Sequence, residues 1–380
     1  MIYLTYNDQP SGVFSSQVND VCNYLNKTAD ARIKLVAIIS LHQFMENRRK
    51  IRKEVPDALV LPALPKAKYW KFSILVVGVI CLLTGQRQII SRNIMATLIA
   101  LRLKKAGLVK KVCLDGRGAI AAEWNEYQVV PDENMKKAIF GQEKEAVLES
   151  DFRIAVSSKL VNYWKTSFGY AGNNHVVIPC TLGSDFEVPE FTDNAITNAA
   201  AAQGFAKNDL VMIYSGSTAG WQSFAVLGDI LGKVLKENPT HRLLFLAKED
   251  ENISKMKADF PGQVSNKWVG HKEVQQVLMA GDYGILYREN SVTNQVASPT
   301  KFAEYLAAGL PVIISDNLGD YSDFVKNHQC GNVIGPGQQI TLAKTVSANK
   351  LRMAKLAETH FTKKSQLEQY NKLIAFMNKN

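Results

Sequence analysis

The 380-residue chain has few cysteines: Cys22, Cys81, Cys113, Cys180 and Cys330, odd in number and widely scattered. A disulfide scaffold is excluded, and without a Cys-x-x-Cys pair or Cys/His cluster so is a structural zinc site. A reducing compartment suits such cysteines. His42, His175, His241, His328 and His360 show no metal-ligand spacing, so no metal ligand is expected. Long apolar runs are also missing. The longest, 72–83, has twelve residues interrupted by Ser73 and Gly78, whereas a membrane span needs about 20. It reads as a buried helix or an interfacial segment. Met1-Ile-Tyr-Leu-Thr-Tyr6 lacks the basic start of a secretory signal and reads as a strand. Neither G-x-G-x-x-G nor a Walker A pattern occurs, which removes two common nucleotide fingerprints. No period of 20–50 residues recurs, so a solenoid is excluded.

What is present is a globular composition, 46% apolar and 21% charged, over a length that suits two domains. Lys and Arg number 45 against 35 Asp and Glu, a net charge of +10. All of that excess lies in residues 1–180, and residues 181–380 are neutral. A basic half beside a neutral half suits contact with nucleic acid, a phospholipid surface or a phosphorylated acceptor. A solubilising surface accounts for the charge alone equally well.

Short β-branched runs alternate with amphipathic stretches. Strands are predicted at 2–6, 33–40, 58–61, 88–92, 111–115, 152–156 and 175–178, with helices at 15–26, 43–53, 70–84, 94–106, 133–150 and 157–168. The segment 179–189, with two prolines and a glycine, reads as a linker, and 195–205 as helical. Strands follow at 210–214, 242–247, 264–269, 284–287, 311–314 and 332–334, and helices at 221–237, 251–259, 272–279, 300–308 and 321–327, with a helical, amphipathic end. This βαβ rhythm predicts two doubly wound α/β domains, with ligands at the carboxyl ends of the strands and in the cleft between the domains.

Four segments carry chemistry. Asn7-Asp-Gln-Pro-Ser-Gly-Val-Phe-Ser-Ser16 follows the first strand and opens a helix, whose free N–H groups suit an anion or a sugar oxygen. Val112-Cys-Leu-Asp115-Gly116-Arg117-Gly118 ends a buried strand, with Glu123 beyond. There Asp115 is expected to face the cleft mouth as a general base or hydroxyl acceptor, and Arg117 to hold a phosphate or a carboxylate. An Asp–Arg pair bracing the turn is the plainer alternative. Tyr214-Ser-Gly-Ser-Thr-Ala-Gly220 offers small residues able to cradle a diphosphate. The strongest is 288–312, where Ser298-Pro299 reads as an N-cap with Pro at the first helical position. Thr300 and Lys301 then converge on an anion, and Glu304, a turn on, suits the vicinal hydroxyls of a ribose. The main chain of Val269, Gly270 and His271 suits a nucleotide-base pocket.

At this last segment the chain resembles the retaining glycosyltransferases of family 4, the glycosyl transferases group 1 set. The match is to their E-x-x-A-x-G-x-P-V signature, here Glu304-Tyr-Leu-Ala-Ala-Gly-Leu-Pro-Val312. The Ser-Pro-Thr-Lys before it is similar to the subgroup that builds bacterial surface polysaccharides. Val177-Ile-Pro-Cys-Thr-Leu-Gly-Ser-Asp185, Ser265-Asn-Lys-Trp-Val-Gly270 and Ala280-Gly-Asp-Tyr-Gly-Ile-Leu286 extend the likeness over about 150–335, and Asp115-Gly-Arg-Gly-Ala carries it into the first half.

The resemblance implies a GT-B fold: an acceptor domain over 1–180, a nucleotide-sugar domain over 181–360, and a C-terminal helix, 361–380, packing back on the first. It implies sugar transfer from a nucleotide-diphosphate sugar, UDP-linked rather than GDP-linked, with retention and without cofactor or metal. The acceptor would be a glycan or lipid-linked chain in capsule, O-antigen or exopolysaccharide synthesis. Donor contacts would fall to Ser215, Gly216, Ser217, Val269, Gly270, His271, Ser298, Pro299, Thr300, Lys301 and Glu304. Ser11, Gly12, Arg117 and Glu123 would meet the acceptor, and Asp115, Arg288 and Lys301 would act in catalysis.

Two departures stand out. Val296 occupies the place of the first acid of the family's E-x7-E motif, and Glu289 is too far away in sequence to be assigned that role from the sequence alone. The basic pair that clamps the diphosphate is missing where Ser217 and Gln222 stand, leaving Arg288 or Lys301 to substitute. Arg48-Arg-Lys-Ile-Arg-Lys53 and 66–71, with the apolar 72–83, suggest docking on anionic lipid at the cytoplasmic face of the membrane. Alternatives are a non-hydrolysing nucleotide-sugar epimerase and an inactive partner subunit. A nucleic-acid binder is disfavoured, because no such motif is present.

Overall fold

A computed structural model describes residues 1–29, 31–65, 67–130, 132–216, 224–335, 338 and 340–379. Ser217, Gln222 and Lys66 lie outside the described residues, as do the side chains of Lys68 and His271. The chain forms two compact units. Unit 1 comprises Met1–Ser184, Val296–Ser298 and Lys363–Asn380, and unit 2 comprises Asp185–Gln295 and Pro299–Thr362.

Unit 1 is built on seven parallel strands: β1 (Ile2–Tyr6), β2 (Lys34–Ile39), β3 (Leu59–Pro62), β4 (Gln88–Arg92), β5 (Lys111–Gly116), β6 (Phe152–Ala155) and β7 (His175–Val177). Their order is β3-β2-β1-β4-β5-β6-β7. Its helices are α1 (Gly12–Phe14), running through a π turn (Ser15–Asn19) into α2 (Asp20–Thr28), then α3 (Phe44–Glu54), α4 (Ser73–Thr84), α5 (Asn93–Lys105), α6 (Ile120–Glu126), α7 (Glu133–Glu149) and α8 (Ser158–Phe168). The sheet winds outward from β1 to β3, returns past β1 to β4, and winds outward the other way. Right-handed crossovers therefore place α3 and α4 on opposite faces. Strand alternation agrees: Leu4, Val36 and Ile38 pack with Val77 and Cys81 of α4, while Tyr3, Leu35, Ala37 and Ile39 pack with Ile51 of α3. The basic helix α3 and the apolar helix α4, read from sequence as one patch, thus sit on opposite sides of the sheet.

A later helix, Leu367–Asn378, covers the α3 side, where its Tyr370, Leu373 and Met377 join the core. Buried Lys363 anchors its approach, with Nζ 2.6 Å from Asp20 Oδ2 and donating to the Leu182 carbonyl at 2.8 Å.

Unit 2 has six parallel strands: β8 (Leu210–Ser215), β9 (His241–Leu246), β10 (Val264–Asn266), β11 (Tyr283–Leu286), β12 (Val312–Ser315) and β13 (Gly331–Ile334), in the order β10-β9-β8-β11-β12-β13. Its helices are α9 (Asp193–Ala202), α10 (Phe224–Glu237), α11 (Glu251–Asp259), α12 (His271–Leu278), α13 (Val292–Gln295), α14 (Thr300–Ala307), α15 (Tyr321–His328) and α16 (Ser347–Phe361), and the helix of unit 1 after Lys363 is α17. The inner strands β8, β9, β11 and β12 are largely apolar runs buried on both faces, as parallel sheets require. The predicted strands are present, the one at 264–269 shortened to three residues. Helix α6 was not foreseen.

Glu143 of α7 is fully buried, and its carboxylate accepts from the Ala121 N–H at 2.7 Å, capping α6. Burial pushes its acid up to about 7, against the two backbone hydrogen bonds that favour ionisation. Its folded-state proton is held more tightly than in the unfolded chain, so stability falls as pH rises from about 4.5 to about 7. Glu143→Gln should remove that penalty, adding about 3 kcal/mol at pH 8 and nothing at pH 4, read from denaturant unfolding across this range.

Candidate functional site

In unit 2 the winding reverses between β8 and β11, where a doubly wound sheet opens for ligand. Their ladder ends at Tyr214 opposite Ile285, and beyond it the strands part. The Tyr305 hydroxyl fills the gap: it donates to the Ile285 carbonyl at 3.0 Å and accepts from the Ser215 N–H at 2.8 Å. Burial raises the phenol's pKa, so the group stays protonated and serves both bonds. The ring lies so close to Gly284 that a Cβ there would overlap it. Ser215 is buried, and Gly216, at φ +147°, turns the chain out of the strand. Arg288 follows β11, its N–H donating to Ser315 Oγ at the end of β12, 3.1 Å away.

Helix α14 runs against the strands, so its first turn lies at their carboxyl ends. Pro299 occupies the cap position in extended conformation, and Thr300 opens the helix. The sequence assigned the cap to Ser298. Its hydroxyl instead accepts from the Cys180 N–H at 2.9 Å, and Ser298 belongs to unit 1. Lys301 Nζ pairs with Glu304 Oε2 at 2.7 Å, both side chains about a quarter exposed. The ammonium is therefore already neutralised, and a polyanion must compete with Glu304 for it. Val296 is buried in the core of unit 1, where Ser157 Oγ donates to its carbonyl at 2.7 Å. A carboxylate in that position would lose its hydration.

Val269, Gly270 and the start of α12 follow β10, at the sheet edge and two strands from the parting. The Gly270 N–H donates to Glu273 Oε2 at 3.0 Å and is already committed.

Unit 1 repeats the geometry. Strands β1 and β4 pair as far as Leu4 opposite Ser91 and then part. Asn7 (φ +58°) and Asn93 (φ +67°) turn the two strands away, a conformation asparagine tolerates better than most residues. Arg92 Nε bonds Asp8 Oδ2 across the opening at 2.8 Å, and its Nη1 lies 3.8 Å from Asp115 Oδ2. Arg117 Nε lies 2.8 Å from Asp115 Oδ1, and the Tyr3 hydroxyl donates to Oδ2. Four alternating charges thus run inward from half-buried Asp8.

Asp115 does not face the opening. Fully buried, it points to the α3 side, among Tyr3, Ile154, Ile178, Tyr370 and Leu373, because its place in β5 turns it to the face that α17 covers. The Asp115–Arg117 brace is what the structure contains. Gly116 is needed for packing, since a Cβ would stand 2.6 Å from the Trp164 ring, whereas Gly118 has open space and needs no special conformation. Ser11 caps α1 by accepting from the Phe14 N–H at 3.2 Å, with exposed Gly12 beside it. Glu123 lies on α6 near Glu143, on the other side of the sheet from Asp115. The structure therefore groups Thr300, Lys301 and Glu304, and separately Asp115 with Arg117, but does not gather Glu123 with them. Sequence reading passed over Tyr305, Asp8 and Arg92; a hydroxyl-bearing aromatic on a buried helix face and charges at a strand end were the available signals.

The profile of the family "Glucosyltransferase 3-like, C-terminal domain" matches residues 234–368. No curated protein matches the sequence. Among solved structures, a glycosyltransferase from Rickettsia africae ESF-5 is 14% identical, with TM-score 0.71 over 100% of this chain and 98% of that one. Anabaena HepE, in complex with UDP and glucose, is 14% identical, with TM-score 0.67 over 98% of both. A putative UDP-N-acetylglucosamine 2-epimerase from Listeria monocytogenes is 9% identical, with TM-score 0.53 over 98% and 90%. At such identities the likeness shows the fold: two parallel-sheet α/β domains of the GT-B type.

Asp115→Asn should cost about 3–5 kcal/mol by leaving Arg117 and Arg92 undercompensated in the core. Thermal unfolding checks this, and a Tm equal to that of the parent would contradict the brace.

Proposed function

We propose that this protein is a retaining glycosyltransferase that moves a sugar from a nucleotide-diphosphate donor, UDP-linked rather than GDP-linked, to a glycan or lipid-linked acceptor of bacterial surface polysaccharide. The observation that carries this reading is the parting of β8 and β11, strapped by Tyr305, with Arg288 and the first turn of α14 at the same end of the sheet. Backbone N–H groups after β8 and at the start of α14 suit the donor diphosphate. Its arrival draws Lys301 off Glu304, which frees the carboxylate for the ribose hydroxyls. In the same event Lys301 and Arg288 face the charge that builds as the diphosphate leaves, the main electrostatic task of the reaction. The family profile, which spans α14, and the UDP-bound neighbour support the reading.

The acceptor falls to unit 1, where Ser11, Gly12 and the Asp8–Arg92 pair flank the parting of β1 and β4. Asp115 and Arg117 act there by positioning Arg92. No metal or other cofactor enters this scheme, in which cationic side chains and helix N–H groups hold the diphosphate. The site of action is the cytoplasmic face of the membrane, where such acceptors are extended.

Thermal shift with UDP, GDP and their sugars tests the donor. UDP should stabilise the protein, and Glu304→Ala should weaken binding by about tenfold, the scale of one charged hydrogen-bond contact. Unchanged nucleotide affinity in that variant would remove Glu304 from the site. Lys301→Ala should lower kcat more than it lowers UDP affinity. Conversion of a UDP-sugar without any acceptor would favour an epimerase.

A further inference from the structure

Helix α4 reads Ser-Ile-Leu-Val-Val-Gly-Val-Ile-Cys-Leu-Leu-Thr and carries no charge. An uncharged helix that is apolar all round belongs in a core or in a lipid phase. Only one side of it is covered. Val77, Gly78 and Cys81 are buried, with Leu103 of α5 in contact at Gly78. On the other side Leu75 is 73% exposed, Leu82 67% and Leu83 83%, with Val76 and Val79 between them and Phe72 at the entry. These positions recur at helical spacing and form one continuous stripe. Exposed Tyr69 packs edge-on against Phe72, an aromatic pair of the kind that sits at headgroup level.

Along the chain on either side of the stripe the charge has one sign. From residue 58 to residue 114 the sequence has no acid and ten Lys or Arg. Arg92 is buried, Arg102 and Lys105 pair with Glu145, and Lys104 pairs with Asp151. Lys71 precedes α4, and Arg87 and Lys110 follow in the loops beyond its end, joined where the Lys110 N–H donates to the Arg87 carbonyl at 2.7 Å. All three are exposed, and none forms an ion pair among the described residues.

We infer that α4 is an interfacial docking helix that lies in the surface of an anionic phospholipid bilayer. A second copy of the chain is the poorer occupant. A two-fold contact through this stripe would bring the cations at its ends, Lys71, Arg87 and Lys110, against those of the other copy. An anionic bilayer receives the aliphatic stripe and the cations together. Twelve residues rise about 18 Å, short of the roughly 30 Å hydrocarbon layer, so the helix lies in the plane and does not cross. The basic helix α3, on the other side of the sheet, takes no part. The inference does not rest on the transferase reading.

The test is sedimentation of the full chain with phosphatidylcholine vesicles with and without phosphatidylglycerol. Binding should require phosphatidylglycerol and weaken with salt. Leu75→Asp/Val79→Asp/Leu82→Asp alters only solvent-facing side chains and should lower partitioning by about tenfold or more, leaving Tm and the UDP thermal shift unchanged. Lys71→Gln/Arg87→Gln/Lys110→Gln, which keeps the apolar stripe, should also lower binding to the phosphatidylglycerol vesicles and flatten its salt dependence. Arg48→Gln/Arg49→Gln/Lys53→Gln on α3 should leave it unchanged. Equal binding by the parent and the aspartate variant overturns the inference, as does loss confined to the α3 variant. A parent that ignores vesicles but forms a dimer dissolved by the aspartates also overturns it, assigning the face to self-association.

Discussion

A parallel sheet that winds outward in both directions must part its two central strands at their carboxyl ends, and that parting leaves ladder groups without partners. Both units contain such a parting, and in each one side chain spans the opening. In unit 2 the neutral Tyr305 hydroxyl replaces the lost ladder bond between β8 and β11. In unit 1 the cation of Arg92 reaches Asp8 after β1 from its place at the end of β4. The neutral strap leaves the opening in unit 2 uncharged, so the charge beside it comes from side chains of α14 and of the segment after β11. The ionic bridge in unit 1 ties the opening to a buried charge network.

The two units also handle charge differently. Asp115, Arg117 and Arg92 are locked together at low exposure, and such a network chiefly enforces one arrangement of strands, since removing any member strands its partners. Lys301 and Glu304 share one helical turn with solvent access. A pair of that kind is worth little to stability and can be exchanged for a ligand's charges at small cost. Rigidity in one place and exchangeable charge in the other follow from burial alone.

Much of the fold was legible in the sequence because the inner strands of both sheets are buried on two faces, so each of them announces itself as an apolar run bounded by glycine, proline or polar residues. Helix α6 was missed because Ala121 is its one buried residue, which leaves no apolar stripe to read. The site was read less completely. The first turn of α14 was visible, since Ser-Pro-Thr-Lys before an apolar run is a local signal. The direction of Asp115 was not, because it depends on which helix covers that face, and the covering helix lies some 250 residues further on. The same holds for Ser298 and Val296, whose partners Cys180 and Ser157 are set by the tertiary fold. The part played by Tyr305 was only partly signalled, since its hydroxyl accepts from Ser215, 90 residues earlier in the chain.

Unit 1 is not contiguous in the chain. Its first 184 residues supply the whole seven-stranded sheet, yet the face bearing Tyr3, Ile154 and Val176 is closed by Tyr370, Leu373 and Met377, and the carboxylate of Asp20 waits for Lys363. During synthesis, therefore, the earlier unit cannot finish before the later one has been made. The nascent sheet carries an open apolar face through the time needed to translate nearly two hundred further residues, a period in which exposed hydrophobic surface invites aggregation or chaperone binding. Unit 2, which needs nothing from beyond Thr362, is free to fold first, reversing the usual order in which the N-terminal domain leads.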